Sequence, residues 1–303
     1  GDKLAAVRAG MDDAALKATI AQTEKLKALQ EAVDKPEDLA KIPTLTLADL
    51  DRDIRTVPTD ESDLFGARLM HHDLPTLGIL YLDLGFDLKV LEPELLPYLP
   101  LFGRALLQTG TSKEDFVSLT QRIGRTTGGI AQHRSLATRL DNDETAAWFF
   151  VSGKSVPAKF GDMLDIISDV LLDARLDNKE RIRQMALEEK AGFEARMIPA
   201  GNSIVDTRLK AGLTEASWVA EQLGGGSYLN FLRRIRDLLF NRNGMVVNLT
   251  ADAGLFTDAR GALAGFIGGL PQRDAKTHDW GFAALPKSEG LVIPAQVNYV
   301  GKG

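Results

Sequence analysis

Between Leu74 and Ile130 the apolar positions change period as the chain advances. The opening PTLGILYLDLGFDL, carrying Leu77, Ile79, Tyr81 and Leu84, reads as a strand covered on both sides, although a short buried helix shares that pattern. Pro93, Pro97 and Pro100 then lead into a helix bearing Leu101, Phe102, Ala105 and Leu106. Gly110 is expected to end that helix, because glycine takes the left-handed C-terminal conformation without strain. Thr111 and Glu114, three apart, are the capping-box pair expected to start the next helix. Its stripe is Phe116, Leu119 and Ile123, and Gly128-Gly129 stops it before another strand.

The flanking pattern extends this order. Residues 2–33 are helical in period, with a broken stripe of Leu4, Val7, Met11, Leu16, Ile20, Leu26 and Leu29. Asp12 or Asp13 suits an N-cap, which leaves a hairpin and a single long helix both open, and Asp34-Lys35-Pro36 closes the segment. Residues 40–60 read as a linker with one helical turn at 47–50. Strands are expected at 65–72, 130–138, 146–151, 245–250 and 291–300. Helices are expected at 157–174, 178–197 (behind Asp177 as N-cap), through Ile204, Leu209 and Leu213, and at 217–223, 228–241 and 256–267. This pattern predicts an α+β fold, an antiparallel or mixed sheet with helices over one face, preceded by a helical connector. The division expected is residues 1–45 for the connector and 46–303 for the α+β domain.

Composition narrows the partners. Among 303 residues, 44% are hydrophobic and 26% charged, the proportions of an ordinary globular chain. A net charge of −6 argues against nucleic acid as partner, since phosphate neutralisation needs clustered Lys and Arg. There are no cysteines, which removes disulfides and thiolate chemistry together. No apolar run reaches the roughly 20 residues that span a bilayer, and the opening GDKLAAVRAG lacks a signal-peptide core. No membrane partner is expected; the compartment stays unknown, with an intracellular one the working expectation.

Candidate chemistry is sparse. A hydrolytic zinc site needs two histidines and a carboxylate on the metal, with a second carboxylate as base. The four histidines, His71, His72, His133 and His278, include no pair spaced four apart, and His71 and His72 should point to opposite faces of a strand. Val151-Ser152-Gly153 lacks the first glycine of a nucleophile elbow. Gly224-Gly225-Gly226 has no following Lys-Ser or Lys-Thr and reads as a joint between helices rather than a phosphate loop. Glu188, Glu189 and Glu194 read as a solvated helix face. Arg125-Thr126-Thr127-Gly128-Gly129 has two readings: a helix C-cap and turn, or a small-residue surface that lets a peptide backbone approach. His133, on the strand that follows, is a further candidate for a wall facing substrate.

Four blocks, PYLPLFGRALLQTGT, QRIGRTTGGI, LEEKAGFEARMIPAGNSIVDTRL and NLTAD, resemble the presequence-protease group of inverted-motif zinc peptidases (subfamily C of peptidase family M16, in the insulinase superfamily). More narrowly, they resemble the associated domain that begins the second half of those enzymes. The resemblance implies a protein whose halves close around an unstructured peptide, with zinc and base in the first half. It also implies an Arg and a Tyr, in a motif near Arg-x-x-Gly-Gly-Ala-Tyr, in a last domain. Neither motif is in this chain, which is expected to stop, at NYVGKG, before that last domain. The resulting expectation is a non-catalytic, chamber-forming segment with no cofactor of its own and zinc elsewhere in the full-length protein. Its partners would be the remaining domains of the polypeptide and a peptide substrate. Arg125, Thr126, Thr127 and His133 are the expected chamber residues. The alternatives are a non-catalytic scaffold that binds peptides or partners, and an independent hydrolase using local carboxylates.

Overall fold

The computed structural model describes residues 2–50, 52–53, 56–223, 231–274, 276–281 and 300–301. The chain divides into two compact units, residues 1–56 and 57–303.

In the first unit Asp12 splits the helical pattern. α1 spans Asp2–Ala9 and α2 spans Asp13–Glu31, and the Asp12 carboxylate accepts the Ala15 N–H at 2.7 Å as the N-cap of α2. Pro36 opens a short α3, Pro36–Leu39, where its fixed φ suits a first helical position. A single 3-10 turn, Leu47–Asp49, follows, and Thr46 and Asp49 cap it reciprocally. None of the described side chains of this unit is buried, and the Ile20, Leu26 and Leu29 stripe stays exposed.

Among the described residues the second unit holds six strands: β1 Asp60–Leu64, β2 Ala67–Asp73, β3 Leu80–Asp87, β4 Ile130–Thr138, β5 Thr145–Ser155 and β6 Met245–Ala251. They form one sheet in the order β1-β2-β6-β3-β5-β4. β2 and β6 run parallel and the other neighbours antiparallel, so the sheet is mixed. β1 falls between the expected linker and the first expected strand. Four of its five residues are exposed, so it has no alternation to read, and it joins β2 through Phe65-Gly66, both at positive φ as a two-residue hairpin turn requires. The strand expected at 291–300 falls, but for Val300, outside the described residues, as does Gly224-Gly225-Gly226.

The phase of β3 differs from the expected core set. Leu80, Leu82, Leu84 and Phe86 are buried, whereas Leu77 is 95% exposed at φ +54°, in the turn before the strand. In a period of two, that choice decides which face every neighbour takes. Leu69, Val247, Leu249, Phe149 and Val151 join the same buried face. Against it pack α4 (Leu99–Gln108), α6 (Phe160–Asp173), α9 (Glu215–Gln222) and α11 (Ala253–Gly269). Phe102, Phe149 and Phe240 meet there with ring centroids 5.7–6.5 Å apart, tilted as aromatic quadrupoles prefer. The result is the α+β class, a mixed sheet with helices over one face.

Two caps also differ. α5 spans Phe116–Thr126 and takes Asp115, not Thr111, as its N-cap: Asp115 Oδ1 accepts the Ser118 N–H at 2.8 Å. Thr111 instead bridges to Ala174, which ties the loop to the end of α6. α7, Lys179–Met197, is capped by Asn178 rather than Asp177. α8 (Gly201–Lys210) and α10 (Phe231–Leu239) complete the helices among the described residues. Arg122 of α5 bonds both Glu114 (2.7 Å) and Asp169 of α6 (2.8 Å), and Lys113 reaches Asp169 at 2.5 Å. Burial pushes the Asp169 carboxyl up, but the hydrogen bonds and charges of Lys113 and Arg122 outweigh it and hold the group below the usual carboxylate range.

Candidate functional site

The sheet's other face is half-exposed and carries the side chains that alternate with the core. Asp83 of β3 lies directly opposite Ser152 of β5 on one side and Asn248 of β6 on the other. Ser152 Oγ donates to Asp83 Oδ1 at 2.6 Å, and Asn248 Nδ2 donates to Asp83 Oδ2 at 3.2 Å. His133 of β4 stacks on Phe150 at 5.0 Å with 11° between the rings, and its Nδ1 lies 3.4 Å from Ser152 Oγ. Gly85 leaves room for this packing: a Cβ there would sit 2.6 Å from Phe150 Cε1 and 2.5 Å from Val246 Cγ2.

Serine, histidine and aspartate thus converge, but in the wrong order for nucleophilic catalysis. A triad places the histidine between serine and acid, so that imidazole takes the serine proton. Here Ser152 stands in the middle and donates its hydrogen bond to Asp83, leaving the His133 contact long. The arrangement locks three strands together through polar groups and does not activate a nucleophile.

A groove of about 370 Å³ opens at the end of the sheet, where β3 begins, β5 ends and α5 turns into β4. Arg125, Thr126 and Thr127 line it with Gly128, Lys154, Ser155 and Lys159, beside an apolar wall of Ile79, Tyr81 and Val156. Thr127 is the C-cap of α5: its hydroxyl donates to the Ile123 carbonyl at 2.8 Å and accepts the Gly129 N–H at 3.0 Å. The turn is clamped to β5 by the Gly128 N–H, which donates to the Lys154 carbonyl at 2.8 Å. A Cβ on Gly128 would lie 2.8 Å from Lys154 Cγ, so the bare glycine is what lets the lysine stem lie across the turn. His133 is not in this wall.

The remaining histidines do not gather. His71 is buried on the helix face, stacked on Phe256 at 3.8 Å, with Nε2 3.3 Å from the Ala251 carbonyl. His72 faces the other way, its Nδ1 2.9 Å from the Pro58 carbonyl, and the backbone N–H of His278 donates to Lys89. Glu188 and Glu189 of α7 pair with Arg104 of α4 at 2.8 and 3.1 Å and so tie two helices together, while Glu194 lies 3.8 Å from Lys190. Among the described residues no group of three or more His, Asp and Glu is placed to hold a metal ion.

Comparison with known proteins supplies the context. A family profile for the domain associated with peptidase M16, subfamily C, matches residues 1–235. Presequence protease 1, chloroplastic/mitochondrial, of Arabidopsis thaliana is 36% identical over 98% of this chain, which covers 29% of that protein. Protein HypA of Clostridium perfringens is 27% identical over 99% of the chain, covering 33% of its own length. The chain thus spans about a third of these curated relatives or less. Two solved structures share its fold at low identity. The peptidase M16 inactive domain from Pseudomonas fluorescens has a TM-score of 0.57 at 17% identity, over 75% of this chain and 54% of that one. The periplasmic protease PqqL from Escherichia coli has a TM-score of 0.57 at 11% identity, over 74% of this chain and 25% of that one. With 235 of its residues matched by the family profile, the chain belongs to the family of domains associated with peptidase M16, subfamily C.

Proposed function

We propose that this chain forms part of the wall of a peptide-degrading chamber in a larger zinc metalloendopeptidase, and does not itself cut peptides. The observation that carries the reading is the 36% identity to a presequence protease across nearly the whole chain, at only 29% of that protein's length. In this reading residues 1–45 are the connector and residues 46–303 the first domain of the enzyme's second half. Zinc and the catalytic base come from the first half of that larger protein. When bound there, zinc would supply an activated water for attack on a peptide bond. The groove of Arg125, Thr126 and Thr127 and the half-exposed face bearing His133 are the surfaces assigned to the chamber.

The test is cleavage of a quenched, unstructured peptide of about 20 residues, a length chosen to bury an extended strand's worth of contacts. The chain would be assayed alone and mixed with the missing portions of its parent. Activity only in the mixture, abolished by a chelator, is the expected result. Chelator-resistant cleavage by the chain alone would overturn the reading. A second reading, a scaffold that binds peptides without cutting, draws on the Pseudomonas fluorescens neighbour, whose fold is that of an inactive domain. Binding without cleavage in either assay would favour it.

A further inference from the structure

We propose that the groove at the end of the sheet holds the C-terminal carboxylate of a bound peptide, together with an apolar last side chain. The inference rests on the chamber reading for its supply of peptides, and deepens it by naming which end of the peptide docks and where.

Two observations converge. The first is charge. In a chain of net charge −6, this groove is lined by three cations, Arg125, Lys154 and Lys159, and by no carboxylate. Lys159 is paired with Asp162 at 2.8 Å. Among the described residues the side chains of Arg125 and Lys154 have no hydrogen-bonded or ion-paired partner, so two cations beside one concavity remain to be neutralised from outside. The second is construction. Gly128 has no side chain because the Lys154 stem occupies that space, and the Gly128 N–H fixes the turn to the Lys154 carbonyl. The lysine is thereby seated beside the guanidinium's turn instead of sweeping freely through solvent.

A carboxylate answers both. A guanidinium offers it two parallel N–H groups and an ammonium a point charge, the pairing that makes charge-assisted bonds shorter and stronger than neutral ones. Tyr81 and Val156, 42% and 47% exposed, stand beside the cations with Ile79. An acidic side chain alone would leave that apolar wall unused, whereas a terminal residue brings carboxylate and side chain on one α-carbon.

The test is fluorescence anisotropy of an N-terminally labelled ten-residue peptide, free of Asp and Glu and ending in Leu, titrated with the full chain. Three forms separate the sources of the carboxylate: the free acid, the C-terminal amide, and the amide with one internal Glu. The free acid is expected to bind about tenfold or more tighter than the amide, the scale of one charge-assisted contact. The Arg125→Gln, Lys154→Gln double variant should abolish the advantage of the free acid over the amide; both side chains are exposed, so folding is not at stake. Equal binding of acid and amide would overturn the inference while leaving the chamber reading intact. Restoration by the internal Glu would overturn the terminal assignment in favour of a side-chain carboxylate. No binding of any form would also overturn it, and the chamber reading would then stand or fall on the cleavage assay.

Discussion

Ser152 and Asp83 stand directly opposite each other on β5 and β3, and the serine hydroxyl donates to the carboxylate at 2.6 Å. A serine committed as donor to an acid is a structural tie. Ser152→Ala should therefore cost about 1–2 kcal/mol, the range for one hydrogen bond to a charged group in a half-exposed place. The wild-type chain should resist labelling by a serine-directed fluorophosphonate. Thermal denaturation of the variant and a labelling gel of the wild type check the two halves; labelling of Ser152 would show that His133 reaches it as a base.

Two aspartates should shape the acid stability profile with opposite sign. Asp169 is held below the usual carboxylate range, so its contribution is complete above that range and is lost as pH falls through the lowered value. Asp169→Asn should lower stability at pH 7 by about 1–3 kcal/mol, the worth of bonds to charged partners, and flatten the acid limb of the stability curve.

Asp87 behaves in reverse. Burial pushes its carboxyl up, against the Lys89 N–H bond and the charges of Lys89 and Arg139. The folded state therefore favours the protonated form, and stability is lost as pH rises through the raised value. Asp87→Asn, whose amide oxygen still accepts the Lys89 N–H, should raise the melting temperature at pH 7, with the gain vanishing in acid. Urea melts of both variants across pH 3–7 would separate the two signs.

Glycines at two positions should respond oppositely to alanine. Gly85 lies beneath Phe150 and Val246, so Gly85→Ala forces both aside and should cost about 1–3 kcal/mol. Gly192 sits inside α7 with nothing near its missing Cβ, and Gly192→Ala should gain about 0.5–1 kcal/mol. Chemical denaturation of the pair checks both; a stabilised Gly85→Ala would mean that Phe150 does not rest on that strand.

The long elements with strong periods were legible: β5 and α6 follow directly from apolar spacing. What stayed hidden depended on contacts distant in sequence. DESDL does not look like a strand, and it is one because an edge strand asks only for a partner, which β2 provides. Thr111 had the spacing of a capping box, but Asp115 lies closer to the first turn and took the role, while Thr111 was drawn to Ala174. The groove was half legible. Arg125 to Gly128 were singled out for their small and hydroxylated residues, but Lys154 and Ser155 lie a whole hairpin away in sequence. The meeting of residues 83, 133 and 152 is likewise a product of register, which no local motif encodes.

β6 occupies the slot between β2 and β3, yet it is the last strand of the six in sequence. During synthesis, then, the β1–β2 hairpin and the three strands β3, β5 and β4 emerge as two separate half-sheets, each with an unsatisfied edge, and wait for residues 245–251 to join them. Such a long-range closure makes for slow folding and an aggregation-prone interval. It also gives a boundary to respect when cutting the chain: a fragment ending at residue 235, where the family profile ends, would lack its keystone strand.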